Sequence, residues 1–140
     1  LRALNQHVYG VQPERLYGTI VPYAFERRDG RAVLLRKTDA QGGVNEGAAK
    51  IDNIQIALGR RPTLAAGNSP GDAEMLEYTS TGDGPRLAIL VNHDDADREY
   101  AYESEAGSFV AAERVTDSAD RLGWTQISMR DDWNRIFPTR

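Results

Sequence analysis

Cysteine is absent from the 140 residues, which removes disulfides, thiolate zinc sites and cysteine nucleophiles together. No run of about 18 apolar residues occurs, so no segment reads as a membrane span. Gly-x-x-x-x-Gly-Lys is not present, which takes away the signature of a phosphate-binding P-loop. An excess of basic charge is missing too: 17 Lys and Arg face 21 Asp and Glu, a formal net charge of −4. Nothing supplies the positive field that a phosphate-backbone binder needs, so nucleic acid is not an expected partner. Internal repeats and low-complexity segments are also lacking. The rest is ordinary: 40% hydrophobic and 27% charged residues, a soluble globular balance at a length suited to one domain.

The pattern of apolar positions and turn residues predicts the elements. Leu1 to Tyr9 places Leu1, Leu4 and Val8 on one helical face, with Gly10 as the stop. Leu16 to Ile20 reads as a short strand. Tyr23–Arg27 and Ala32–Leu35 flank Asp29-Gly30, a hairpin signal. Asp39 to Gly47 is a loop. Ala48 to Leu58 reads as a helix closed by Gly59, Thr63 to Ala66 as a strand, and Asp72 to Tyr78 as a helix. Leu87 to Val91 is a continuous apolar run, as in a strand buried on both faces. Asp94 to Tyr102 and Phe109 to Leu122 read as helices, Trp124 to Met129 as a strand, and Asp131 to Phe137 as a final helical turn. From Ala48 onward strands and helices alternate, which predicts an α/β fold with a parallel sheet covered by helices.

In such sheets ligands bind beyond the carboxyl ends of the strands. The strand Thr63–Ala66 runs straight into Gly67-Asn68-Ser69-Pro70-Gly71-Asp72. Asn68 and Asp72 are oxygen donors four residues apart across a strand-to-helix turn. Mg²⁺ takes a few hard oxygens together with waters and substrate phosphate. Gly67 and Gly71 allow backbone shapes that a side chain would forbid. The same residue types also make plain turns and helix caps, so spacing alone leaves both readings open. Asn92 and His93 end the Leu87–Val91 strand, where they would border the same pocket as Gly67 and Ser69.

The segment from Leu64 to Leu76 resembles the fourth motif of the haloacid dehalogenase-like hydrolase superfamily: a hydrophobic strand, Gly-Asp, three residues, Asp, then a helix carrying Met-Leu. Asn68 stands where the family has its first acid, and Asp72 matches the second. Lys50, at the start of the preceding helix, matches the lysine of the third motif. Tyr9-Gly10-Val11, Tyr17-Gly18-Thr19 and the Asp29-Gly30 hairpin resemble the phosphoserine-phosphatase-like branch after its second motif. The resemblance runs from about Leu1 to Phe137. It implies a partial Rossmann-like, three-layer parallel sheet with helices on both faces and a β-hairpin excursion. Residues 1–47 would be the segment after the second motif, and 48–140 the core strands and helices.

The resemblance further implies a Mg²⁺-dependent phosphomonoesterase acting through an aspartyl-phosphate on a small phosphorylated substrate. Lys50 and Asp72 would be the catalytic pair. Lys50 would balance the charge of nucleophile and phosphoryl group, and Asp72 would hold the metal's waters or orient Lys50. Asn68 and Asp72 would form the metal side. The family's nucleophile motif, Asp-x-Asp-Gly-Thr, occurs nowhere in the chain. Asp95-Ala96-Asp97 is a decoy, since Arg98 follows where a turn glycine belongs; Asp94 and Asp95 read instead as acids at a helix start. The nucleophile is therefore expected on an upstream half of the same polypeptide, whose strands would lie between Leu16–Ile20 and Thr63–Ala66. A non-catalytic α/β binding or interaction module that has lost the nucleophile is the alternative, and a different hydrolase or transferase built on Asp72 and His93 is a third. The compartment is unknown: Leu1 is not an initiator methionine, which leaves room for an upstream export signal.

Overall fold

The computed structural model describes residues 2–38, 44–102 and 110–137. Leu1, the 39–43 part of the loop before the second helix, and Phe109 lie outside them. The chain is mixed α/β. A three-stranded parallel sheet is flanked by helices, and an antiparallel hairpin stands apart from it.

The N-terminal helix α1 (Arg2–Tyr9) ends at Gly10, whose positive φ of 66° suits a residue without a side chain. A 3-10 turn, Pro13–Arg15, follows. Residues 16–22 then run without regular structure, so the expected strand Leu16–Ile20 does not form. Its residues have strand-like types, but no described strand pairs with them, and a strand exists only through its neighbour's hydrogen bonds. The tie here is a side chain instead: Thr19 Oγ1 accepts from the Asn45 amide at 3.2 Å.

The hairpin forms as its turn chemistry demands. β1 (Tyr23–Arg28) and β2 (Arg31–Arg36) pair in register from Tyr23↔Arg36 to Arg28↔Arg31. Asp29 and Gly30 both take positive φ, 50° and 73°, the geometry that matches the twist of the flanking strands. Ala24, Glu26, Val33 and Leu35 share the more covered face, while Phe25 and Leu34 stay exposed.

α2 (Ala48–Leu58) has the bounds its periodicity predicts, and Gly59 closes it in the left-handed region. The sheet is β3 (Leu64–Gly67), β4 (Leu87–Asn92) and β5 (Thr125–Ser128), in that spatial order and all parallel. α3 (Ala73–Ser80) connects β3 to β4, and α4 (Val115–Leu122) precedes β5. α3 packs on β3 and β4, α4 on β4, and the two helices pack on each other, so both lie on one face. Right-handed crossovers that step in one direction across a sheet place their helices this way. The core is therefore one-sided: Ala65, Ala88 and Leu90 from the strands meet Leu76, Val115, Ala119 and Trp124. Trp124 is core, as its size suggests, and its indole N–H is satisfied by Ser80 Oγ at 3.1 Å.

One expectation is corrected by this arrangement. β4 is not buried on both faces: Ala88 and Leu90 are covered, but Leu87 is exposed and Ile89 and Val91 are half-buried. α2 packs on α3. Three helical expectations also meet a different outcome. Residues 94–101 form turns rather than a helix, and 129–137 form turns and bends rather than a last helical turn. α4 begins at Val115, because Arg114 already has extended backbone; the expected start at Phe109 lies outside the described residues.

The one-sided core gives a stability prediction. Leu90→Ala, at a fully buried position, is expected to cost about 2–5 kcal/mol. Leu87→Ala, on the open face, should cost roughly 1 kcal/mol or less. Urea unfolding followed by Trp124 fluorescence distinguishes the two; equal losses would contradict the one-sided core.

Candidate functional site

The loop after β3 is organised around Asp72. A 3-10 turn, Pro70–Asp72, leads directly into α3. Asp72 occupies the cap position of α3, yet its side chain makes no capping hydrogen bond. The carboxylate folds back instead: Oδ2 accepts the Asn68 N–H at 2.9 Å, and Oδ1 accepts from Lys50 Nζ. The plain-cap reading of the loop is thus not what the side chain does. The loop glycines also act differently from expectation, since neither has positive φ. At Gly67 the requirement is space: a Cβ would lie 2.4 Å from Asp72 Cβ. At Gly71 it would meet Glu46 Cγ at 3.2 Å.

Lys50 reaches Asp72 because α2 is tied to this loop. The N–H of Gly47, just before α2, donates to the Gly71 carbonyl at 3.0 Å. That places the first turn of α2, and Lys50 in it, beside Asp72. A cation in a first helical turn opposes the helix dipole, and α2 has no acid there to offset it. The local choice is unfavourable and is compensated by a tertiary contact, a conflict found at functional sites. The pair is largely shielded, with side-chain exposures of 18% for Lys50 and 11% for Asp72.

A second group of residues adjoins the loop. Asn68 Nδ2 donates to the Tyr102 hydroxyl. The Tyr102 ring stacks on His93, with centroids 4.6 Å apart and planes 15° from parallel. His93 Nδ1 is 2.8 Å from Glu99 Oε2. Glu99 is buried to 8% side-chain exposure, and its other oxygen has no protein partner. Burial raises the Tyr102 phenol above its ordinary 10.0; the Asn68 hydrogen bond pulls it down, and the Glu99 and Asp72 carboxylates push it up. The net rise keeps the hydroxyl neutral at ordinary pH. Asn92 and His93, with Tyr102, Arg114 and Thr116, line a cavity of about 410 Å³.

The segment between His93 and Tyr102 is a closed loop. The Tyr102 N–H returns to the His93 carbonyl at 3.0 Å. Asp95 is buried and accepts the Asp97 and Arg98 amides, each at 3.2 Å, and pairs with the Arg98 guanidinium. Arg98 also donates to the carbonyls of Met129, Arg130 and Trp133 at 2.8–2.9 Å. Asp94 accepts from Ser128 Oγ and the Arg130 amide. Asp94 and Asp95 therefore stabilise turns and the stretch after β5, not the N-terminus of a helix.

Of the residues expected to act together, Gly67, Asn68, Ser69 and Asp72 share the loop after β3, and Lys50 meets it from α2 through Asp72; Ser69 Oγ is 3.5 Å from Asp72 Oδ2. His93 joins them through Tyr102, and Asn92 lines the cavity beside His93. Tyr102 and Glu99 were not anticipated as neighbours of the loop, because 94–102 reads as a helix with Tyr102 packing on it. No local signal marked them. No protein-family model and no curated protein matches this sequence.

Among the described residues no three His, Cys, Asp or Glu side chains cluster as a complete cage. Mg²⁺ more often takes one or two side-chain oxygens and completes its shell with waters and phosphate. Asn68 Oδ1 and the Asp72 carboxylate would be the side-chain oxygens for such a shell.

The crowding at Gly67 and the pairing of Asp94 and Asp95 can each be tested. Gly67→Ala must displace Asp72, at a cost of about 1–3 kcal/mol; a melting temperature equal to wild type would contradict the close approach. Acid behaviour tests the carboxylates. At Asp94 burial raises the carboxyl, but the Ser128 and Arg130 hydrogen bonds outweigh it and the net value is lowered from 3.8. At Asp95 burial likewise raises, Arg98 outweighs it, and the net value is lowered. Depressed folded values stabilise above the unfolded value and are lost as pH falls through the folded one. Asp94→Asn and Asp95→Asn should lower the melting temperature at pH 7, with the deficit closing below about pH 4. A deficit independent of pH would contradict the assignment.

Proposed function

We propose that this chain is the C-terminal part of a Mg²⁺-dependent phosphomonoesterase of the haloacid dehalogenase-like type. The observation that carries the reading is the Lys50–Asp72 pair at the carboxyl end of a parallel strand, with the Asp72 carboxylate turned away from its helix and onto the ammonium. The order strand, Asn68 loop, Asp72, helix, with a lysine on the preceding helix, is the order of the family's third and fourth motifs. β3 lies at an edge of the described sheet, which leaves one side for a further strand carrying the nucleophile. On this reading the domain is one Rossmann-like unit shared with an upstream half of the polypeptide.

Phosphoryl transfer demands positioning and charge compensation more than covalent chemistry. Lys50 Nζ would offer its remaining donors to the phosphoryl oxygens and to the attacking carboxylate. Asp72 holds that ammonium in place and keeps the long lysine side chain from sampling other rotamers. Asn68 Oδ1 and Asp72 would hold the metal directly or through water. When bound, Mg²⁺ would neutralise phosphate charge during attack on phosphorus. His93 and Asn92 would border the leaving-group side of the pocket. The attacking carboxylate is not among these residues: the sequence has no Asp-x-Asp-Gly-Thr, and Asp95 is already held by Arg98 and two amides.

The experiment is hydrolysis of p-nitrophenyl phosphate. The 140-residue chain should show no turnover. A form of the protein that carries the upstream nucleophile should turn over with Mg²⁺, and Asp72→Ala should abolish that activity. Robust turnover by the pure chain, or near-normal activity in Asp72→Ala, would overturn the reading. A complete gene without an upstream Asp-x-Asp-Gly-Thr would favour a non-catalytic binding module.

A further inference from the structure

A buried carboxylate joined to a histidine in a cavity wall is a costly arrangement for structure alone. The Glu99 side chain is 8% exposed, its Oε2 lies 2.8 Å from His93 Nδ1, and its Oε1 has no partner among the described residues. An apolar side chain would fill the same space without burying an unpaired oxygen. A carboxylate only accepts hydrogen bonds. With Glu99 ionised, Nδ1 must therefore carry the hydrogen, and in the neutral ring Nε2 is left as the acceptor. Nε2 makes no hydrogen bond among the described residues and is open to solvent. The ring is held on other sides as well. Tyr102 stacks on one face, the Tyr102 amide donates to the His93 carbonyl, and the Glu99 amide donates to the Asp95 carbonyl, each of the two at 3.0 Å. His93 lines the cavity of about 410 Å³. The other charged groups in its wall are Arg114, which brings positive charge, and Asp94, whose carboxylate is taken by Ser128 Oγ and the Arg130 amide.

We propose that His93 is a proton-transfer residue and Glu99 its positioning residue: Glu99 keeps the hydrogen on Nδ1, and Nε2 exchanges a proton with a hydroxyl-bearing ligand in the cavity. Once Nε2 has taken a proton, the buried carboxylate stabilises the imidazolium. It also ensures that the proton given back leaves from Nε2. The dyad stands apart from the phosphohydrolase reading, but the identity of the ligand rests on it, as the alcohol half of a phosphate monoester. As the phosphorus–oxygen bond breaks, its electron pair stays on the alcohol oxygen. The Nε2 proton moves to that oxygen, and the ring returns to its neutral Nδ1–H form.

The test begins with the 140-residue chain. Long-range proton–nitrogen correlation spectra, recorded above the titration of both histidines, show which ring nitrogen carries the hydrogen. His93 should be in the Nδ1–H form; His7, exposed on α1, should show the Nε2–H-rich mixture of an unpartnered imidazole. Glu99→Met keeps the length of the side chain and removes the acceptor, so His93 should come to resemble His7. Diethyl pyrocarbonate acylates an open, unprotonated ring nitrogen. It should modify His93 at Nε2 and do so several-fold more slowly in Glu99→Met, with His7 unchanged. A wild-type His93 in the Nε2–H form would overturn the inference, as would an unreactive His93 or an unchanged tautomer in Glu99→Met. The wild-type spectrum decides alone should Glu99→Met fail to fold. In the form that carries the upstream nucleophile, His93→Gln should slow hydrolysis of an alkyl phosphate about 100-fold or more. It should slow p-nitrophenyl phosphate little, because nitrophenolate leaves without a proton. Equal losses on the two esters would overturn the leaving-group role. No turnover of either ester would overturn the phosphohydrolase reading and the ligand with it, while the tautomer decides the dyad separately.

Discussion

The Asp72 carboxylate ties three elements together. One oxygen takes the Asn68 amide, which shapes the exit from β3. The other takes Lys50, which anchors the first turn of α2. Its backbone begins α3. Close approach at Gly67 and Gly71 follows from this crowding, since any side chain there would displace Asp72 or Glu46. A lysine and a carboxylate mostly withdrawn from water are costly to bury singly. Together they satisfy each other and leave the ammonium with donors to spare.

The surroundings of that pair are unequal. On the side of α3 and α4 the sheet is covered by a compact core of Leu76, Leu90, Val115, Ala119 and Trp124. On the other side Leu64 and Leu87 are exposed and Ile89 is half-buried. The site lies at the end of the strands, reached by loops from β3 and β4. No helix among the described residues is long and apolar enough to cross a membrane. The loop after β4 is short of regular structure but rich in polar ties, and those ties give Tyr102 a defined place opposite Asn68.

Much of this was legible beforehand wherever the signal is short-range. Asp29-Gly30 announced the hairpin turn because few residue pairs accept two positive φ values. α2 was readable to the residue because Gly47 and Gly59 bracket a helical run. Leu87–Val91 was readable as a strand from its apolar run, although its coverage was overestimated. The sequence brought Lys50, Asn68 and Asp72 to notice through their order along the chain. It did not reveal Tyr102 or Glu99. In 94–102 the acids, Ala96 and Glu99 suit a helix, yet Asp95 and Arg98 find better partners in amides of their own turn and in carbonyls after β5.

Periodicity, turn chemistry and composition thus decided the class of fold, the hairpin and α2, since each depends on neighbours a few residues away. The direction of Asp72, the failure of Leu16–Ile20 to become a strand, the one-sided cover of the sheet and the meeting of Tyr102 with Asn68 depend on contacts 22 and 34 residues apart or on pairing partners elsewhere in the chain. Such contacts compete with local propensity and override it by satisfying buried polar groups that would otherwise stay unpaired. Only the folded arrangement determines which of those competitors wins.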